Sequence, residues 1–221
     1  MEILFENERY WVVNKPVGMV CEQDGGQGLA DLLAAQNGGY AGVIHRLDRE
    51  VGGLILYAKT PAAAAWLSAL SREGKLRKEY VAAVAGRTGA DMGELCDLLY
   101  YDRKQNKVFR VDRERKGVKK AVLRFWKEAA AKDAEIGHTV LLAVEPITGR
   151  THQIRAQFAF HGFPIWGDRR YGGPALPEWA GQKGILLACR KISFVENGEE
   201  REFFLEPEWV RGFFENTTPY C

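Results

Sequence analysis

The chain has 221 residues, 46% of them hydrophobic and 27% charged, with a formal net charge of +2. That apolar share can build a core and excludes a wholly disordered chain, and no run approaches the roughly 18–20 apolar residues of a membrane helix. Residues 1–8 carry acids where a secretion signal needs a basic flank and an apolar run, so a cytoplasmic protein is expected.

In chain order the first signals are strands. Residues 3–5 and 10–13 flank a polar turn and predict a hairpin stopped at Lys15-Pro16. Residues 29–35 predict a short amphipathic helix closed by Asn37-Gly38-Gly39, after a Gly- and Asp-containing connection at 21–28. Leu54-Ile55-Leu56-Tyr57-Ala58 is a continuous apolar run and predicts a buried strand. Thr60 then caps a helix that has Pro61 at its first position and is closed by Gly74.

Further strands are predicted over 80–85, 107–111, 119–126 and 139–144, and a helix over 151–161 between Gly149 and Gly162. Residues 185–194 and 202–205 predict a late hairpin around Asn197-Gly198, and 208–214 a terminal helix. Hairpins outnumber βαβ units, which points to the α+β class: a single domain on a mostly antiparallel mixed β-sheet with flanking helices and loops. No Pro- or Ser-rich linker divides the chain.

Cys21, Cys96, Cys189 and Cys221 are scattered without zinc or dithiol spacing, so free thiols are expected. His45, His138, His152 and His161 likewise lack metal-ligand spacing. Charge is unevenly spread. Residues 102–120 hold nine basic side chains against three acids, whereas 196–215 hold seven acids against two arginines. The basic strip suits either a polyanion or a solvated charged hairpin.

Three segments concentrate polar groups beside turns. In His45-Arg46-Leu47-Asp48-Arg49-Glu50, a carboxylate flanked by arginines can stay ionised and act as nucleophile or base, or simply close a loop with an ion pair. In Thr148-Gly149-Arg150-Thr151-His152-Gln153-Ile154-Arg155, helical spacing puts His152 and Arg155 on one face with Ala156 and Ala159. Arg155 is there either an anion-binding group or half of a buried salt bridge with a carboxylate such as Asp48. The third segment, 162–173, is a structured loop whose aromatics serve packing. No phosphate-loop pattern and no Gly-x-Ser-x-Gly occurs.

Together these segments resemble one family. His45-Arg46-Leu47-Asp48 is followed by Gly53-Leu54-Ile55-Leu56-Tyr57-Ala58-Lys59, then Lys78-Glu79-Tyr80 and the run from Thr148 to Arg155. Gly162-x-Pro164-Ile165-x-Gly167-Asp168-x-x-Tyr171-Gly172 completes an order similar to that of the RluA family of RNA pseudouridine synthases. Asn14-Lys15-Pro16-x-Gly18 is similar to the family's opening motif, and the resemblance runs from about residue 10 to 195.

The resemblance implies an isomerase of the pseudouridine synthase fold that needs neither cofactor nor metal. It would convert a specific uridine of ribosomal or transfer RNA to pseudouridine by base flipping, aspartate-dependent glycosidic cleavage and reattachment through C5. It implies that Asp48 is the catalytic aspartate, attacking C1′ or deprotonating the sugar, and that Arg155 keeps that carboxylate charged and aimed. Tyr80 matches the tyrosine that stacks on the target base and takes part in proton removal at C5. Arg46 matches the group inserted where the flipped base stood, and Leu54 and Ile55 an apolar floor under the uracil. His45, Arg150, His152 and Gln153 belong to the same substrate- and RNA-binding motifs. The expected partner is RNA, held partly by the basic strip, and the expected state is a monomer with one catalytic domain over 1–221 and no S4-like N-terminal domain.

Two departures bear on the substrate more than on the reaction. Val51-Gly52 stand where the family has Thr-Ser, and the usual His after Lys-Pro-x-Gly is absent, with Cys21 near its place. Two other classes compete. One is a catalytically silent RNA-binding protein, which has no need of Asp48. The other is a carboxylate-dependent hydrolase, which needs a second carboxylate such as Glu50 or Asp168.

Overall fold

The computed structural model describes residues 1–133, 137–217 and 219–220. In chain order the elements are β1 (Glu2–Glu6), β2 (Tyr10–Lys15), α1 (Leu29–Gln36), β3 (Gly42–Val43), β4 (Gly52–Ala58), α2 (Pro61–Arg72), β5 (Arg77–Ala85) and β6 (Met92–Asp102). There follow β7 (Lys107–Arg110), β8 (Val118–Asp133), β9 (Gly137–Pro146), α3 (Gln153–Phe160), β10 (Leu187–Glu196), β11 (Glu199–Phe204), α4 (Glu208–Asn216) and β12 (Pro219–Tyr220). The class is α+β with mixed strand pairing. The chain forms two compact units, Met1–Glu79 with Ala188–Pro207, and Tyr80–Leu187 with Glu208–Cys221.

The first unit is organised on β4. All seven of its residues are buried, as the apolar run predicts. One edge of β4 pairs antiparallel with β2, from Tyr10 opposite Ala58 to Lys15 opposite Gly53, and β1 pairs with β2 in turn. The other edge meets β3 at Ala58 and Tyr57, antiparallel, and β10 at Gly52 and Gly53, parallel. Gly53 makes that parallel approach possible, since its φ is +104° and a Cβ there would stand 2.2 Å from the Cys189 carbonyl oxygen. β11 closes a hairpin on β10. The aromatic rings of Phe5, Tyr10, Phe194 and Phe203 pack together in the core beside the buried Glu196. That carboxylate accepts from the Tyr10 hydroxyl and from Arg9 and Arg201.

Helix α2 follows its sequence signals closely. Thr60 Oγ1 accepts from Ala63 N at 3.1 Å, Pro61 sits in the first turn, and Gly74 lies beyond the last with φ +69°. Helix α1 begins after a loop gathered by Asp31, whose Oδ2 accepts from the backbone of Asp24, Gly26 and Gly28.

The second unit is antiparallel, in the order β5-β9-β8-β6-β7, with β12 on β8. Strand β6, eleven residues long, lies where no element is expected from the sequence. Its inward positions are Leu95, Asp97 and Leu99, so a carboxylate interrupts the apolar alternation that marks a strand. The structure tolerates Asp97 there because Gln157 Nε2 donates to it at 2.8 Å and His161 Nε2 stands 3.2 Å away. Strand β8 runs on to Asp133, past the expected end at 126, through an irregularity between Lys127 and Ala129. Helix α3 starts at Gln153 and not at 151, because His152 is left-handed at φ +50° and ψ +24°. Among the described residues no helix is long and apolar enough to cross a membrane, and Cys21 and Cys96 are free thiols. Cys221 lies outside the described residues.

Candidate active site

In the first unit Asp48 is half-buried on the turn that leads into β4, where Val51 N donates to its carbonyl at 3.0 Å. The segment 15–22 holds that turn. Lys15, expected as a strand stop, is instead the last residue of β2 and wholly buried. Its ammonium donates to the carbonyls of Pro16 at 3.0 Å, Met19 at 2.8 Å and, more weakly, Arg49 at 3.4 Å. Gly18 N also donates to Arg49 O at 2.7 Å, and Arg49 Nε returns a bond to Gly18 O at 2.8 Å. On the other flank Cys21 Sγ donates to Leu47 O and accepts from Leu47 N, each at 3.2 Å.

Burial shapes the charges here. It pulls the Lys15 ammonium below its ordinary pKa, against the attraction of the Asp48 and Glu50 carboxylates. It pushes the Cys21 thiol up, so the thiol keeps its proton at neutral pH and can donate. Neither residue is apparent as functional from local pattern. A lysine at a strand end and a cysteine in a polar loop look like solvent-facing groups until the loop folds back.

His45, expected at an RNA-binding position, is turned inward. Its Nε2 accepts from Leu56 N at 3.2 Å. Because β3 covers β4 down to Tyr57 and β10 covers only Gly52 and Gly53, the imidazole occupies an uncovered stretch of ladder. An accepting Nε2 places the ring proton on Nδ1, which is buried without a hydrogen-bond partner among the described residues. Burial, with the Lys78 charge nearby, holds the His45 pKa well below 6.5. Arg46 faces solvent and pairs with Glu22 at 2.7 Å. Leu54 and Ile55 are both fully buried, but consecutive strand residues point to opposite faces. The two side chains therefore lie on opposite faces of β4.

The second unit carries Tyr80 and Arg155. Tyr80 is buried on β5 opposite Val144 of β9. Arg155, on α3, makes a two-pronged pair with Asp168: Nε to Oδ2 at 2.7 Å and Nη2 to Oδ1 at 2.9 Å. The buried salt bridge foreseen for Arg155 thus exists with Asp168, thirteen residues on, as its carboxylate. That bond occupies Asp168, which is 1% exposed, and removes it as the second carboxylate of a hydrolase. The Arg155 guanidinium also lies 5.5 Å from the Tyr171 ring centre.

His152 is half-buried, outside the helix, so it does not share a helical face with Arg155. Its Nδ1 is 3.0 Å from the Tyr171 hydroxyl, which accepts from Val108 N of β7 at 2.8 Å. Gln153, expected to meet RNA, is buried and serves the turn before α3. Its Oε1 accepts from Thr148 Oγ1 and Arg150 N, and its Nε2 donates to Val122 O. Arg150 Nε donates to Lys120 O at 3.0 Å. The basic strip runs from the end of β6 through β7 and its flanking turns into the start of β8, with Arg103, Lys104, Arg113, Arg115, Lys116, Lys119 and Lys120 exposed.

A sequence profile of the family described as RNA pseudouridylate synthase matches residues 9–160. The chain is 32% identical over 209 residues to the ribosomal large subunit pseudouridine synthase C of Vibrio cholerae, covering 90% of this chain and 63% of that protein. It is 35% identical over 181 residues to the uncharacterized RNA pseudouridine synthase YhcT of Bacillus subtilis, covering 78% of this chain and 58% of that one. The chain thus spans about three fifths of the length of the curated relatives it matches. Among solved structures, human RNA pseudouridylate synthase domain containing 1 superposes with a TM-score of 0.79 at 19% identity, covering 99% of this chain and 88% of that one. Human RNA pseudouridylate synthase domain containing 4 gives 0.76 at 22%, covering 96% and 92%. These two likenesses show the fold.

Proposed function

The chain belongs to the RNA pseudouridylate synthase family, and on that premise we propose that it isomerises a uridine of ribosomal or transfer RNA to pseudouridine in the cytoplasm. The C1′–N1 bond breaks, the uracil turns, C1′ bonds to C5, and C5 gives up a proton while N1 gains one. Atoms and electrons balance within the substrate, so the reaction needs no co-reactant.

Asp48 is the carboxylate that attacks C1′ or takes a sugar proton. Tyr80 and Arg155 serve the same reaction, at the base and at the charge respectively. Flipping the nucleotide costs about a few kcal/mol, and exposed Arg46 is the group to fill the vacated stack. The basic strip of the second unit holds phosphates, contacts that position RNA without reading its sequence. The observation that carries this reading is the clamping of the Asp48 turn from both sides by residues 15–21, a rigidity that a passive RNA binder does not require.

The test is pseudouridine mapping of total RNA from cells lacking the gene, rescued with wild type or Asp48→Asn. A site lost on deletion and restored only by wild type identifies the substrate and supports Asp48. If every site persists, and the purified protein leaves unmodified ribosomal and transfer RNA transcripts unchanged, the silent RNA-binding reading takes its place.

A further inference from the structure

We propose that Cys21 is a positioning residue for Asp48, its thiol setting the aim of the carboxylate by gripping the Leu47 backbone. This inference rests on the reading of Asp48 as the catalytic carboxylate.

The thiol is both donor and acceptor, and here both capacities meet one residue. The Leu47 N–H belongs to the peptide shared with Arg46, and the Leu47 carbonyl to the peptide shared with Asp48. Holding both leaves little freedom at the torsions that swing the Asp48 side chain. Leu47 is buried, so neither group has water as a ready substitute.

The grip is anchored in the core of the first unit. The Cys21 carbonyl accepts from the Tyr57 hydroxyl at 2.8 Å and from Ala30 N at 3.2 Å. Tyr57 is a fully buried residue of β4, and Ala30 lies in the first turn of α1. Sulfur reaches the Leu47 groups from that anchored backbone. A serine oxygen sits closer to its own Cβ and favours contacts of about 2.7–3.0 Å, so it cannot keep both bonds without the loop moving.

Moving Asp48 by a fraction of an ångström penalises the chemical step, whereas RNA affinity is spread over many phosphate contacts and is spared. Single-turnover rates on an unmodified large-subunit ribosomal RNA transcript, and filter-binding affinities for it, separate the two. Cys21→Ala is expected to lower the rate about 10- to 100-fold with affinity unchanged, and Cys21→Ser to fall between it and wild type. Leu67→Ala, a cavity variant in the buried face of α2, destabilises the fold by another route and keeps the wild-type rate where it is fully folded.

Wild-type rate in Cys21→Ala overturns the proposal, and so does an equal loss of rate in Leu67→Ala. If Cys21→Ala does not fold, Cys21→Ser decides by the same split: slowed chemistry at unchanged affinity supports the grip, and unslowed chemistry overturns it. Asp48→Asn is run alongside. If it turns over as wild type does, the catalytic reading of Asp48 fails first, and the inference with it.

Discussion

Arg155 and Asp168 form a buried two-pronged ion pair in the second unit, at 2.7 Å and 2.9 Å, with side chains 2% and 1% exposed. The pair ties α3 to the short turn Arg169–Tyr171, because Asp168 also accepts from Tyr171 N and Gly173 N through its carbonyl. An arginine so held presents its remaining donor edge in a set direction. Breaking a buried pair from one side strands the other charge. Asp168→Ala should therefore lower the unfolding free energy by about 3–5 kcal/mol in urea titrations, and Arg155→Met with Asp168→Leu by clearly less. Equal losses in the single and double variants would show that the pair is not the source of the cost.

Asp48→Asn keeps the shape of the turn and removes the charge. Turnover should vanish while RNA affinity stays near wild type, since that affinity is spread over many phosphate contacts. The check is a tritium-release or mass-spectrometric assay beside filter binding.

The basic strip gives a salt prediction. Arg113, Arg115 and Lys116 are exposed on the turn that leads from β7 into β8, and Lys119 is exposed at the start of β8. Replacing all four with glutamine should weaken RNA binding and flatten the slope of log K against log salt, by about 0.7–0.9 for each phosphate that the protein no longer neutralises. An unaltered slope removes the strip from the RNA interface.

His45 gives a pH prediction. Its folded pKa lies well below 6.5 because burial disfavours the charged ring, and Nε2 must stay unprotonated to accept from Leu56 N. Below pH 6.5 the unfolded chain takes up a proton that the folded chain refuses, so stability rises with pH across this window and falls on acidification. The fall is about 1.4 kcal/mol per pH unit, from 6.5 down to the folded pKa. His45→Gln retains an acceptor for Leu56 N and should lose that slope, which urea titrations at pH 5.0, about 6 and about 7.5 would reveal. A variant as acid-sensitive as wild type assigns the slope to other groups.

Local pattern alone determined much of this protein. The Thr60 cap, Pro61 and Gly74 bound α2, and the run over 54–58 marks β4, because caps, φ restrictions and apolar runs act within one segment. The motifs around Asp48 and Arg155 likewise pointed to the family in which the chain belongs. Tertiary structure alone decided who partners whom. It gave Asp168 to Arg155, set Cys21 against Leu47 at a separation of 26 residues, and turned His45 and Gln153 inward onto the backbone of Leu56 and Val122. It also made a strand of β6 around Asp97, whose carboxylate is stabilised by Gln157 from a helix sixty residues away. Such pairings arise when a closing loop brings a buried polar group to the one donor or acceptor in reach. That requirement is imposed by desolvation in the folded interior and leaves no periodic trace along the chain.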